Sequence, residues 1–378
     1  MDKIEHFLNI PVIGDDTNFW MMRAKRGFFF DEFITDEFIA IGWNLITKSM
    51  INPVLAGTQA KSLKESIKNT YDESKPGTAL NKCIRFCYEV KAGDIAVIVD
   101  NNRIAIAYIG AYYEEKSDNL TVELEKEVHK DIEKAKLGIN TFSCPYIKRR
   151  KISVIKVLGV NDAISPYLQS AIARNWHSLS DLNEYAELVL SSCFDTFIFK
   201  DKLTVTFRVK RKEEINVLDL SNFVLSAAKL LSDNKPENVQ VKTTLHSPGE
   251  VILQVLNSIQ VDPWTLVICY LIIFGGKCGS YEFNSLLGFA KDLIKYLHEK
   301  ERVGLELRKL AAETDIIEQE ALGQKLDNIK KLEELRLETI DECAEPLVNA
   351  SKNLEVEPDT ATLIDITELL KRKQEENL

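Results

Sequence analysis

The chain lacks the short motifs that announce the commonest enzyme chemistries. It has no glycine-rich phosphate loop ending in Lys and Ser or Thr, no G-x-G-x-x-G, no G-x-S-x-G and no H-E-x-x-H. Cysteine is sparse and odd in number, seven in 378 residues. Cys83 and Cys87 stand four apart with no histidine at zinc spacing, so these are read as thiols in a reducing compartment and not as metal ligands. No cofactor or metal is implied. The one strongly apolar run, Trp264 to Phe274, covers eleven residues, short of the roughly 17–25 that a membrane helix needs. It reads as a buried helix or an interface, and membrane contact is not expected. The opening MDKIEHFLNIPVIGDD carries acids at both ends and too short an apolar run for a secretory signal, so the expected location is cytoplasmic. The net charge of −10 argues against the whole surface coating nucleic acid, although a local basic patch remains compatible with binding it. The length suffices for two or three domains with sizeable cores.

What is present is concentrated between Phe19 and Asn44, FWMMRAKRGFFFDEFITDEFIAIGWN. This stretch holds Trp20 and Trp43, the triple Phe28 to Phe30 and the basic cluster Arg23, Lys25 and Arg26. Phe19 to Arg23 and Phe38 to Trp43 read as strands, with Gly42 permitting a bend beside Trp43. Lys91-Ala-Gly-Asp94 turns into a third strand, Ile95 to Val99, and Asp100-Asn101-Asn102 joins it to Ile104 to Ile109 as a hairpin ended by Gly110. Tyr112 and Tyr113 follow, to line a pocket mouth or cap the sheet. Between them, Lys61 to Tyr71 and Ala79 to Val90 read as helices broken by Ser74-Lys-Pro-Gly77.

These short motifs, W-x-x-R, I-A-I-G-W, K-x-G-D-I and Y-I-G, over roughly residues 15–160, resemble the PUA/EVE-like barrel at the N-terminus of modification-dependent restriction proteins. The resemblance implies a small β-barrel with a helical insert that holds a modified or flipped base among aromatic side chains. On that reading Trp20, Arg23 and Trp43 line the pocket and Asp94 hydrogen-bonds the base edge. Lys148, Arg149, Arg150 and Lys151, the densest basic run, contact phosphates. The plainer alternatives are that the tryptophans are core, that Asp94 caps its turn and that the basic run is a solvated strand end leading into Ile152 to Leu158. The late strand departs from the family, with Ser153 or Val154 where an aromatic is expected.

The remainder reads as follows. Glu114 to Asn140 is a charged, solvated insertion, partly helical from Leu124 to Ala135. Pro166 to Trp176 and Glu184 to Ser192 are linker helices, the second capped by Ser180 to Asn183. Leu203 to Val209, the amphipathic helix Leu218 to Leu231, Val239 to Leu245 and Val251 to Val255 form a β-α-β-β layer. From Tyr281 to Glu345 the chain reads as long helix, stopped by Pro346 and Pro358, with a last helix carrying Leu363, Ile366, Leu369 and Leu370. The expected fold class is α+β. Its parts are a barrel over residues 1–160, a helical linker over 161–193, a small β-α-β-β domain over 194–260 and a helical oligomerisation or effector region over 261–378.

The function expected is a non-enzymatic nucleic-acid sensor of the bacterial anti-phage type, reading a modified base of DNA or RNA and self-assembling through its C-terminal helices. One alternative is an Mrr-like metal-dependent nuclease, for which Gln240-Val-Lys242 fits half of the motif and Asp219 or Asp233 offers an acid. The other is a structural oligomer without nucleic-acid binding.

Overall fold

The computed structural model describes residues 10–116, 120–134, 142–159, 164–243, 249–256, 316–357 and 364–365, with parts of 268–309. The fold is α+β. The chain divides into two compact units, Asp15–Cys193 and a second made of Met1–Gly14 with Phe194–Leu378. Residues 161–193, expected as a separate linker, thus fall within the first unit, and 194–260 and 261–378 share the second.

The first strand, β1 (Val12–Ile13), belongs to the second unit. The first unit is built on a curled half-barrel sheet of six strands: β2 (Phe19–Arg23), β3 (Phe38–Ile41), β4 (Ile95–Val99), β5 (Ile104–Glu114), β6 (Lys148–Leu158) and β7 (Leu179–Asp181). Their order is β3-β6-β5-β4-β2-β7, with β2 and β4 parallel and the other pairs antiparallel. All of β4 is buried, as its unbroken run of Ile, Ala and Val requires of a strand covered on both faces.

Gly110 does not end β5. The strand shifts register between Ile109 and Tyr112 and continues to Glu114. A Cβ on Gly110 would lie 3.1 Å from the Lys151 Cβ and 3.2 Å from its carbonyl, so the glycine serves a close approach of β6. Ser180 does not cap a helix but lies in β7, the edge strand beside β2; the helix begins only after the 3-10 turn Asn183–Tyr185.

Among the described residues of this unit the helices are α1 (Phe30–Thr35), α2 (Lys48–Leu55), α3 (Ala60–Tyr71), α4 (Pro76–Ile84, continued as a π turn over Arg85–Glu89), α5 (Val122–Lys134), α6 (Pro166–Arg174) and α7 (Ala186–Cys193). The phenylalanine triplet is explained by α1, which buries Phe29, Phe30 and Phe33 beside Phe38. Ile51, Leu63, Ile67, Leu80 and Cys83 of α2 to α4 form a satellite core.

The second unit has β8 (Thr196–Phe199), β9 (Lys202–Val209), α8 (Val217–Leu231), β10 (Val239–Thr243) and β11 (Gly249–Leu256). The sheet order is β1-β8-β9-β11-β10. Lys200 and Asp201, both at positive φ, make the tight β8–β9 turn. Leu203, Val205, Phe207 and Val209 alternate onto the face covered by Phe223, Ala227, Leu230 and Leu231 of α8, and Asn216 caps that helix by accepting from the Leu218 amide at 2.8 Å.

The long helix α9 (Ile316–Asn353) runs through Pro346, where a stop is expected. Ile340, Cys343, Ala344, Leu347 and Ala350 all lie in the core, and that burial outweighs the ~3 kcal/mol a mid-helix proline costs. It also covers this part of the apolar stripe within the chain.

Of the Trp264–Phe274 run, Ile268, Cys269 and Leu271 to Ile273 are helical and buried in the same core, and the rest lies outside the described residues. Tyr281–Phe283, expected as the start of the long helix, is a strand, β13, paired with β12 (Gly276–Cys278). Past β14 (Val356–Glu357), which pairs with β9, Ile364–Asp365 forms β15, parallel to β12, where the last helix was expected. Pro358, Leu363, Ile366, Leu369 and Leu370 lie outside the described residues. No described helix is long and apolar enough to cross a membrane.

Candidate functional site

The site begins where β3 ends. After Ile41 the chain passes Gly42 and enters Trp43 with φ +61°, a left-handed conformation that costs a non-glycine residue about 1–3 kcal/mol. A single carboxylate holds it there. Glu125 of α5, only 1% exposed, accepts from the Trp43 amide at 2.6 Å, the Asn44 amide at 2.8 Å and the Tyr71 hydroxyl at 2.8 Å. Burial, then the charge of Glu125, raises the Tyr71 phenol far above its usual range, so it remains a donor. Gly42 makes room for this clamp, since a Cβ there would lie 2.7 Å from Glu125 Oε1 and 3.1 Å from the Tyr146 ring. From below, the Lys148 ammonium donates to the Trp43 and Ile46 carbonyls at 2.7 and 2.8 Å.

Above this clamp lies a cavity of about 600 Å³, within the roughly 300–1,000 Å³ typical of small-molecule sites. Trp43, Tyr71, Tyr146 and Trp176 give it aromatic walls, and Arg23, Lys25 and Arg26 line it with positive charge. Trp176 is 84% exposed, with the Arg23 guanidinium 6.0 Å from its ring centre. Arg23 itself donates to the Asn175 and Ile172 carbonyls at 2.9 and 2.7 Å. His129, also on the wall, lies 2.8 Å from the Tyr146 hydroxyl through Nε2.

Of the residues named from sequence, Trp43 and Arg23 meet at this cavity. The others do not line it. Trp20 is a core residue, 3% exposed, whose indole donates to Asp94 Oδ2 at 2.8 Å. Asp94 is buried as a turn cap, also accepting from the Asn18 and Lys91 amides at 3.1 and 2.8 Å. The basic run is corrected too. Lys148 is fully buried. Arg149 donates to the Tyr146 and Cys144 carbonyls and lies over Phe38. Arg150 is buried and donates to the carbonyls of Phe86, Gly110 and Cys87. Only Lys151 is exposed. The physical reason is that the run, although it opens β6, is paired on both sides: Lys148 to Lys151 pair with Ile41 to Phe38, and Lys148 to Arg150 pair with Glu114 to Tyr112. The side chains of Lys148 to Arg150 instead meet carbonyls of the turn after β3, the segment before β6, the π turn and Gly110 of β5. No family model, curated protein or solved structure matches the chain.

Sequence reasoning missed Glu125, His129, Tyr146 and Trp176. A signal existed for the first two. Glu125, Val128, His129 and Ile132 recur at i, i+3, i+4 and i+7, which places a carboxylate and an imidazole on the apolar face of α5. The insertion is thus not simply solvated.

The acids considered for a nuclease are engaged elsewhere. Asp219 accepts from the Asn353 side chain at 3.0 Å and Asp233 pairs with Arg336 at 2.8 Å. Gln240 and Lys242 lie exposed on β10. Among the described residues no three His, Cys, Asp or Glu side chains gather as a metal site. Cys83 is completely buried, which pushes its thiol up to about 12, and Cys87 is raised by burial as well.

His129 supplies a pH test. Burial, then the charge of Lys25, lowers its pKa from 6.5 to about 4. Between those values the unfolded chain binds a proton that the folded chain does not, so stability falls as pH drops from about 6.5 towards about 4. Urea melts should show a loss of about 2 kcal/mol across that window, and a shallower loss in His129→Gln. Equal slopes would mean that the imidazole is solvated.

Proposed function

We propose that the unit Asp15–Cys193 is a non-catalytic, nucleic-acid-reading module of the PUA/EVE type, in which a base, modified or not, stacks on Trp43 inside the cavity. The observation that carries this reading is the co-occurrence of Trp43 and Trp176 on the wall of a ligand-sized cavity with Arg23 and Lys25, neither of which has a carboxylate partner among the described residues. Stacking on an aromatic ring contributes roughly 1–3 kcal/mol per base and accepts any base. Extruding a base from a duplex costs a few kcal/mol, so single strands, or bases already weakened by modification or mismatch, are favoured. The cations add a term that weakens with salt. The strained backbone at Trp43 and the buried clamp that holds it support a pre-organised ring, since residues held in sparsely populated conformations cluster at binding sites. A place in bacterial defence rests on fold analogy alone.

The test is fluorescence anisotropy of labelled oligonucleotides, with and without modified bases, against the full chain. Trp43→Ala should weaken binding by about 5- to 150-fold, the equivalent of roughly 1–3 kcal/mol, with folding checked by circular dichroism because the ring is half-buried against two cores. The nucleic acid should stay intact in magnesium or manganese. Undiminished affinity in folded Trp43→Ala would overturn the assignment, and cleavage would favour the nuclease.

A further inference from the structure

We propose, resting on the base-binding reading of the same cavity, that the turn following β2 is an oxyanion subsite that takes a phosphate group of the nucleotide whose base stacks on Trp43. Its chemistry lies in Arg23, Lys25, Arg26 and Gly27.

The turn is built at a cost. Lys25, Arg26 and Gly27 have φ of +45°, +59° and +88°, three successive left-handed residues, two of which carry side chains. The Phe28 and Phe29 amides close it by donating to the Lys25 and Ala24 carbonyls at 3.3 Å each. The chain packs so tightly against the β4–β5 hairpin that a Cβ on Gly27 would lie 2.0 Å from Asp100 Oδ1. Among the described residues, the amides of Lys25, Arg26 and Gly27 donate to no protein group. Successive unpartnered N–H groups in a turn form an anion-binding concavity.

The side chains have the same bias. Lys25 is half-buried on the cavity wall, and among the described residues it forms neither a hydrogen bond nor an ion pair. Burial is the main influence lowering its pKa, with Glu133 and Glu125 opposing it from a distance. Arg23 gives its hydrogen bonds to carbonyls, so its charge stays uncompensated. Among the described residues, the Arg26 side chain is held by an exposed pair with Glu133 at 3.5 Å.

The carboxylates on the same wall are committed. Glu125 holds the Trp43 clamp, Asp100 is gripped by Arg103, and Glu73 accepts from the Lys75 amide at 3.2 Å. Of the carboxylates on the wall, Asp100 is paired with Arg103, while Arg23 and Lys25 have no carboxylate partner among the described residues. An anion would satisfy the amides and both cations together. Phosphate is the class that fits, because a base on Trp43 carries one within a nucleotide's length and the cavity has the volume for more than a base. The source is a free nucleotide or a phosphorylated strand end.

The experiment is calorimetric titration of the full chain with inorganic phosphate, the four nucleosides, their 5′-monophosphates, and a short single strand with and without a 5′-phosphate. At least one monophosphate, or the phosphorylated strand, should bind tenfold or more tightly than its unphosphorylated counterpart. That ratio should fall towards one in Lys25→Met and be regained in Lys25→Arg, with thermal melts confirming that both variants fold. A preference confined to the monophosphate identifies a free nucleotide, and one confined to the strand identifies an end. Equal binding of phosphorylated and unphosphorylated probes, or a preference that survives in Lys25→Met, overturns the subsite and leaves base binding standing. Failure of every probe to bind overturns both.

Discussion

Replacing Glu125 by Ala is expected to lower the unfolding free energy by about 3–5 kcal/mol, the largest effect of any single polar substitution in the first unit. Three donors would lose their acceptor at once: the Trp43 amide, the Asn44 amide and the Tyr71 hydroxyl. Each buried donor left unpaired costs about 1–3 kcal/mol, and relaxation and water entry recover part of the sum. In a unit of this size about 1 kcal/mol moves the melting temperature by roughly 2–4 °C, so a fall of about 6–20 °C should be visible by circular dichroism. Glu125→Gln should lie between, since one carbonyl oxygen can accept but the amide nitrogen meets donors. Because the clamp fixes the left-handed Trp43, both variants should lose ligand affinity even where they remain folded. A melting temperature within two degrees of wild type in Glu125→Ala would mean that these hydrogen bonds are replaced by water.

Lys148→Met is the second large effect, and it separates two readings of one residue. As a phosphate contact, Lys148 would contribute to the salt dependence of binding and little to stability. As observed, the ammonium is fully buried and donates to the Trp43 and Ile46 carbonyls. Charge-assisted hydrogen bonds of this kind contribute about 1.5–3 kcal/mol each, against which removing a desolvated charge gives some relief. A net loss of about 2–4 kcal/mol in urea melts is therefore expected. The slope of log affinity against log salt should stay unchanged for the folded variant, whereas loss of a true phosphate contact lowers it by about 0.7–0.9. An altered slope with normal stability would return Lys148 to the nucleic-acid face.

The contrast between Lys148 and Trp43 shows how much was legible in the chain. Strands β2 to β5 were readable because their apolar residues form short runs bounded by Gly, Asp and Asn, and the β-α-β-β order around α8 followed from clean alternation in Leu203 to Val209 and the amphipathic stripe after it. Arg23, Lys25, Arg26 and Trp43 stood out as cations and an aromatic beside a glycine. The fate of Lys148 to Arg150 could not be read locally. It depends on carbonyls of Ile46, Phe86 and Cys87, which lie 60 or more residues away in sequence, and a basic run looks the same whether it faces phosphate or backbone. Glu125 was hidden differently, in a segment so rich in charge that one carboxylate on the apolar face of α5 carried little weight. Pro346 followed the opposite rule from its propensity, because the core stripe on both sides of it continues in helical register. Tertiary partners decided each of these, and sequence spacing reports such partners poorly.

The central claim is that a base stacks on Trp43 within the cavity, and the indole N–H resonances test it most directly. The four tryptophans give separate signals in a nitrogen-labelled sample of the full chain, assigned by single Trp→Phe variants. On titration with a single-stranded oligonucleotide, the Trp43 and Trp176 signals should shift saturably. The Trp20 signal should stay in place, its N–H donating to buried Asp94. Saturable binding in which the Trp43 signal does not move, or no binding at all, would contradict the account.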